Sequence, residues 1–118
     1  MTLLPSDLFE ADPVLNRAGG IDTLAAEIVS MSCLDLRKRE AEFLEALQRG
    51  DYPAARESIH SVRGLAGLAG FARLEAEARD WEERLAEGAR PSLEEAEEAL
   101  RALVDQSIEA GLKFAKGF

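Results

Sequence analysis

His60 is the single histidine among 118 residues, and it stands inside the run Asp51-Tyr-Pro-Ala-Ala-Arg-Glu-Ser-Ile-His-Ser-Val-Arg-Gly-Leu-Ala-Gly-Leu-Ala-Gly70. A neutral imidazole nitrogen is nucleophilic near pH 7 and can take up a phosphoryl group, forming a high-energy N–P bond that is readily passed on. Such transfer asks mainly for in-line positioning and for cations against the phosphate oxygens. Projected on a helix at about 100° per residue, Ala55, Val62, Ala66 and Ala69 cluster opposite His60, with Ile59 and Leu65 flanking them. The imidazole therefore points away from the apolar face. Arg63, at i+3, is placed to meet phosphate oxygens, and Arg56, at i−4 on the same edge, could assist from the other direction. Glu57, at i−3, could orient the ring through its second nitrogen, or could be an ordinary solvated glutamate.

Gly64 and Gly67 share the surface of His60, within about 40° of it. Each glycine inside a helix costs about 0.8–1.0 kcal/mol relative to alanine. In a chain this rich in alanine that loss needs a cause, either a closely packed helix or a ligand or partner that approaches the backbone. The glycines lie opposite the apolar stripe, so the expected cause is access.

The elements that must hold this platform are helices. Asp12-Pro13 can open a short one to about Ala18, ended by Gly19-Gly20. Ile21, Leu24, Ala25, Ile28 and Val29 follow the spacing of one buried helix face, with a break expected near Ser30 to Ser32. Leu36, Phe43, Leu44 and Leu47 form the next face, closed by Gly50. Asp51 caps the histidine helix, with Pro53 in its first turn, and Gly70 stops it. From Phe71 the stripe Leu74, Ala78, Trp81 and Leu85 runs to Gly88, with Trp81 expected in the core. Ser92-Leu-Glu-Glu95 reads as a capping box ahead of a last helix carrying Leu93, Ala96, Leu100, Leu103, Val104 and Ser107. The spacing predicts an all-α fold, an antiparallel up-down-up-down four-helix bundle over about 33–113, with lid helices over about 13–31. The whole of 1–118 is expected to be one domain, and Met1 with a compact last helix is expected to mark a complete chain.

The net charge is −9 and 47% of residues are hydrophobic. That is enough apolar material for one core. An acidic chain is repelled by nucleic acid and by anionic membrane surfaces, so neither is expected as a general partner. Cys33 is the sole cysteine; it can form no intramolecular disulfide and reads as a small buried hydrophobe. No apolar run approaches the length of a membrane span, and Met1 to Asp12 lacks the pattern of a signal peptide, which leaves the cytoplasm as the expected compartment. The glutamates at 82, 83 and 87, and those at 94, 95, 97 and 98, read as solvated faces and helix N-terminal charge. No metal-ligand cluster, nucleophile–base pair or nucleotide-binding motif is present, so the chain is expected to be no enzyme and to need no cofactor.

The run His60-Ser-Val-Arg63-Gly64-Leu-Ala-Gly67-Leu-Ala-Gly70 resembles the signature of histidine-containing phosphotransfer domains of two-component phosphorelays. That signature reads His, two residues, Lys, Gly, then small residues and a second Gly. The resemblance extends from about Val14 to Leu112. Arg63 stands where Lys is usual, keeping charge but changing reach and hydration, and Leu65 replaces a small residue at about 140° from His60, expected at the core edge. The resemblance implies a phosphoryl carrier. Phosphate would arrive from the receiver domain of a sensor or hybrid histidine kinase, or from a kinase's ATP-binding domain, and leave to a response regulator's aspartate. Mg²⁺ would be held by the receiver domain. Docking surfaces in that family surround the histidine, which implicates Ile59, Leu68, Phe71 and the stretch Ile21 to Ile28 here. A monomer is expected. The rival reading is a helical-bundle binding module that sequesters or scaffolds a receiver or kinase without being phosphorylated.

Overall fold

The computed structural model describes residues 8–117. The part of the Met1–Asp12 reading that falls on residues 1–7 lies outside them. Among the described residues five helices are defined, α1 (Ala11–Arg17), α2 (Asp22–Arg49), α3 (Tyr52–Ala69), α4 (Ala72–Ala86) and α5 (Leu93–Ala115). The connections are short because each helix carries its own stop and start. Gly50 leaves α2 in the left-handed region at φ 73°, and Asp51 accepts the Ala54 amide at 3.1 Å to begin α3. Gly70 repeats that exit at φ 80°. Only glycine adopts such angles without strain, so both reversals are set by residue type.

Two-residue turns force α2, α3 and α4 to run antiparallel. α2 packs against both α3 and α5, α3 against α4, and α4 against α5, which closes the four long helices into a bundle. α1 lies across α2 and α3. Leu36, Phe43, Ile59, Val62, Leu74, Trp81, Leu100 and Val104 are all buried at its centre. Phe43 meets Trp81 edge to face at 6.0 Å between centroids, and the indole N–H donates to Glu77 Oε1 at 3.2 Å. Burying each large side chain of this kind contributes about 1.5–3 kcal/mol, which is what holds α3 and α4 in fixed register.

Three expectations change. α2 runs without interruption through Ser30–Ser32, so the break at those residues and the second lid helix are absent and α1 is the lid among the described residues. Ala25, Val29, Cys33 and Leu36 are all buried; one continuous core face outweighs the modest helix propensity of serine. At the start of that helix Ile21 and Leu24, expected inside, are 54% and 40% exposed. The capping box is half made. Ser92 Oγ accepts the Glu95 amide at 3.1 Å, but the Glu95 carboxylate turns to Arg84 at 3.3 Å.

Candidate functional site

α3 carries His60 midway along its length, with its buried face, Ala55, Ile59, Val62, Ala66 and Ala69, turned to the bundle. The imidazole is on the far side, with 66% of its side chain exposed. Leu65 packs at the core edge, as its angle required. Gly64 is open: a Cβ built there would meet nothing within 4 Å. No packing among the described residues requires glycine at that position, and the backbone beside His60 is bare.

Gly67 differs. A side chain there would run into the Glu75 carboxylate from α4, so this glycine makes room for a neighbouring side chain instead of leaving the surface bare. Gly64 is therefore open to solvent, whereas the space beside Gly67 is taken by Glu75.

The ring is held by a carboxylate that the periodicity did not single out. Glu82, on α4, places Oε2 2.5 Å from His60 Nδ1 and Oε1 2.5 Å from Arg63 Nη1. An ionised carboxylate only accepts, so the hydrogen in the first contact belongs to Nδ1 and the lone pair of a neutral ring to Nε2. Nε2 has no hydrogen-bond partner among the described residues. Burial pushes the Glu82 carboxyl up, but the hydrogen bonds and charges of His60 and Arg63 outweigh it and hold the group below the ordinary carboxylate range. Glu82 is thus anionic at neutral pH and fixes both the ring and the guanidinium.

Glu57, proposed from i−3 spacing as the orienting group, makes no side-chain bond to His60 and lies exposed. Glu82 on α4 supplies that role instead. A count outward from the Gly70-Phe71 turn carries the signal: in antiparallel neighbours, residues equally distant from the turn face one another, and His60 and Glu82 are nearly so. Glu82 also follows Trp81, at the border of the buried stripe of α4.

Ile59 and Phe71, proposed as docking residues, are both 0% exposed. Ile59 belongs to the apolar side of α3. Phe71 plugs one end of the bundle, where its ring meets Phe9 at 6.0 Å and leaves so little space that a Cβ on Gly111 would come within 2.7 Å of it. Neither can touch a partner. Leu68 can, being 41% exposed.

Arg56 is exposed and has no hydrogen bond or ion pair among the described residues. It shares with His60 an open groove of about 950 Å³ whose other walls include Arg39, Glu42, Glu57, Ser58 and Ser61. Cys33 is buried, and burial pushes its thiol up to about 11 despite the opposing charge of Arg37, so it is an unreactive core group.

The fold and site together define a helical bundle that presents one oriented, solvent-open histidine midway along a helix. A family model described as Hpt domain matches residues 27–110. The chain belongs to the Hpt domain family, whose members serve as histidine phosphotransfer modules in phosphorelays. The bundle is also similar to the crystal structure of the HPT domain of a sensor hybrid histidine kinase from Shewanella, with a TM-score of 0.69, 19% identity, and 95% of this chain and 94% of that one covered. None of the curated proteins matches. No helix among the described residues is long and apolar enough to cross a membrane.

Proposed function

We propose that this chain is a phosphoryl carrier whose His60 Nε2 accepts a phosphoryl group from a receiver-domain aspartate, or from the ATP-binding domain of a kinase, and delivers it to a response regulator's aspartate. The observation that carries this reading is the pairing of His60 Nδ1 with Glu82 beside an open Gly64. That arrangement commits one ring nitrogen to the protein and leaves the other free for attack. In the forward step the Nε2 lone pair bonds to phosphorus while the acyl-phosphate P–O bond breaks and the donor aspartate leaves as carboxylate. The Nδ1 proton stays in its bond with Glu82, which offsets the positive charge that the phosphorylated ring acquires. Delivery is the reverse step with a different carboxylate.

Mg²⁺ for that exchange belongs to the receiver domain in this reading, and the carrier contributes none. Gly64 lets the partner's backbone approach. Leu68, with Ile21 and Leu24 at the start of the neighbouring helix α2, offers exposed apolar contacts for a receiver domain. The test is incubation with a phosphorylated donor. Wild type is expected to gain an acid-labile, base-stable label that His60→Gln lacks. Partner binding without any label would leave the chain a sequestering module.

A further inference from the structure

Arg63 and Glu82 neutralise one another. With Arg63 Nη1 on one oxygen of Glu82 and His60 Nδ1 on the other, the three side chains sum to zero charge while the ring is neutral. A phosphoryl group arriving at Nε2 brings anionic oxygens into this neutral cluster, and it requires a cation that is not already committed to a carboxylate.

The groove supplies one. Of the arginines that line it, Arg39 donates to Glu42 at 2.9 Å, whereas Arg56 has no partner among the described residues. Helical side chains lean toward the helix N-terminus, so the His60 ring covers the turn that carries Arg56. Arg63 leans back toward His60 and meets Glu82, whereas Arg56 leans away and can reach a group on Nε2 only by turning its long side chain back along the groove it shares with His60. On the helix surface Arg56 stands about 40° to one side of His60, and Glu57, which has no ion pair among the described residues, about 60° to the other. An anion at Nε2 is therefore drawn to the Arg56 flank.

We infer that Arg56 is the residue that contacts the phosphoryl oxygens at His60, while Arg63 acts with Glu82 as a positioning pair. The inference rests on the carrier reading above and assigns the cation within it. Guanidinium and phosphoryl oxygens form charge-assisted hydrogen bonds that strengthen as the group is transferred.

Phosphoramidate isolates this contact from protein docking. Nε2 attacks its phosphorus, the P–N bond breaks, and the already protonated nitrogen leaves as ammonia with the bonding pair, while the ring keeps its Nδ1 proton, hydrogen-bonded to Glu82. Wild type, Arg56→Ala, Arg56→Lys and Arg73→Ala are each incubated with phosphoramidate and, separately, with a phosphorylated receiver domain. Arg73 is another exposed arginine, on α4, with no partner among the described residues, and its loss reports a mere change in net charge. Arg56→Ala is expected to slow labelling about tenfold with both donors, the scale of one hydrogen bond between charged groups; Arg56→Lys recovers part of the rate and Arg73→Ala keeps all of it. Labelling of Arg56→Ala by phosphoramidate at the wild-type rate overturns the contact, and slowing confined to the receiver donor does so by placing Arg56 on the docking surface. Equal slowing in Arg73→Ala also overturns it. Wild type that takes no label from either donor removes the carrier reading itself, and the contact with it.

Discussion

The Glu82 carboxylate reaches across from α4 to hold His60 Nδ1 at 2.5 Å, and its second oxygen holds Arg63 at the same distance. One acidic side chain thereby sets the tautomer of the ring, its orientation and the position of the nearest cation. A hydrogen bond to a charged group contributes about 1.5–3 kcal/mol. Glu82→Ala is therefore expected to slow phosphoryl acceptance by about tenfold or more while leaving the far-ultraviolet circular dichroism unchanged. Single-turnover transfer from a phosphorylated receiver domain measures it, and an unchanged rate would remove Glu82 from the site.

Glu82 also gives a signed pH dependence. Its carboxyl is held below its ordinary value in the folded chain, so the native state favours the ionised form. The resulting stabilisation is present above the unfolded pKa and is lost as pH falls through the folded one. Thermal melts of wild type and Glu82→Gln should differ at neutral pH and converge in acid.

Glu40 titrates with the opposite sign. It is 8% exposed on α2 facing α5; its Oε1 lies 3.8 Å from Arg37 Nη1, and its Oε2 has no hydrogen-bond partner among the described residues. Burial pushes its carboxyl up, with Arg37 and Arg101 opposing and Asp105 reinforcing. Here the native state favours the protonated form, so the stabilisation is complete below the unfolded pKa and lost as pH rises through the folded one. Glu40→Leu, which removes a buried carboxylate held only by a long ion pair to Arg37 at 3.8 Å, is expected to raise stability at neutral pH by about 1 kcal/mol, with a smaller gain in acid. Denaturant titrations at two pH values check this.

Gly64 separates stability from function. Its Cβ position is empty, so Gly64→Ala should stabilise the helix by about 0.8–1.0 kcal/mol. Gly64→Leu should keep the helix content yet slow transfer, because the added bulk stands where the partner's backbone comes close. Transfer at the wild-type rate in Gly64→Leu would mean that partners do not approach that surface.

Leu68 and Phe71 are three residues apart and are expected to respond in opposite ways. Phe71→Ala empties a fully buried site and should cost about 3–5 kcal/mol of stability. Leu68→Ala removes an exposed side chain and should leave the melting temperature nearly unchanged while weakening receiver binding. Calorimetric melts and binding titrations on the two variants distinguish them.

Much of this architecture is legible in the residues themselves. The 3.6-residue stripes placed Val62, Ala66, Leu74, Trp81 and Leu100 in the core, and Gly50, Asp51 and Gly70 marked turns that the chain makes. The same projection set His60 outward and Leu65 at the core edge. Periodicity within one helix could not show how α3 sits against α4, and that register is what brings Glu82, and not Glu57, to the ring. The docking roles expected of Ile59 and Phe71 come from the family resemblance and not from the projection, which already sets Ile59 beside the apolar cluster. Ile59 is adjacent to His60 yet turns into the bundle, and Phe71 follows the same run but seals the bundle's end. Ser30–Ser32 misled for a related reason, since local propensity there yields to the burial of Val29, Cys33 and Leu36 on a continuous face.

The most direct test of the central claim is the site of phosphorus attachment. Correlation of phosphorus with ring protons and nitrogens by nuclear magnetic resonance, on the chain labelled with ¹⁵N and phosphorylated by a receiver domain, reports which atom holds the group. Coupling to Nε2 of His60, with the Nδ1 proton retained, is the result that the pairing with Glu82 requires. Phosphorus on Nδ1, or on any residue other than His60, would contradict it.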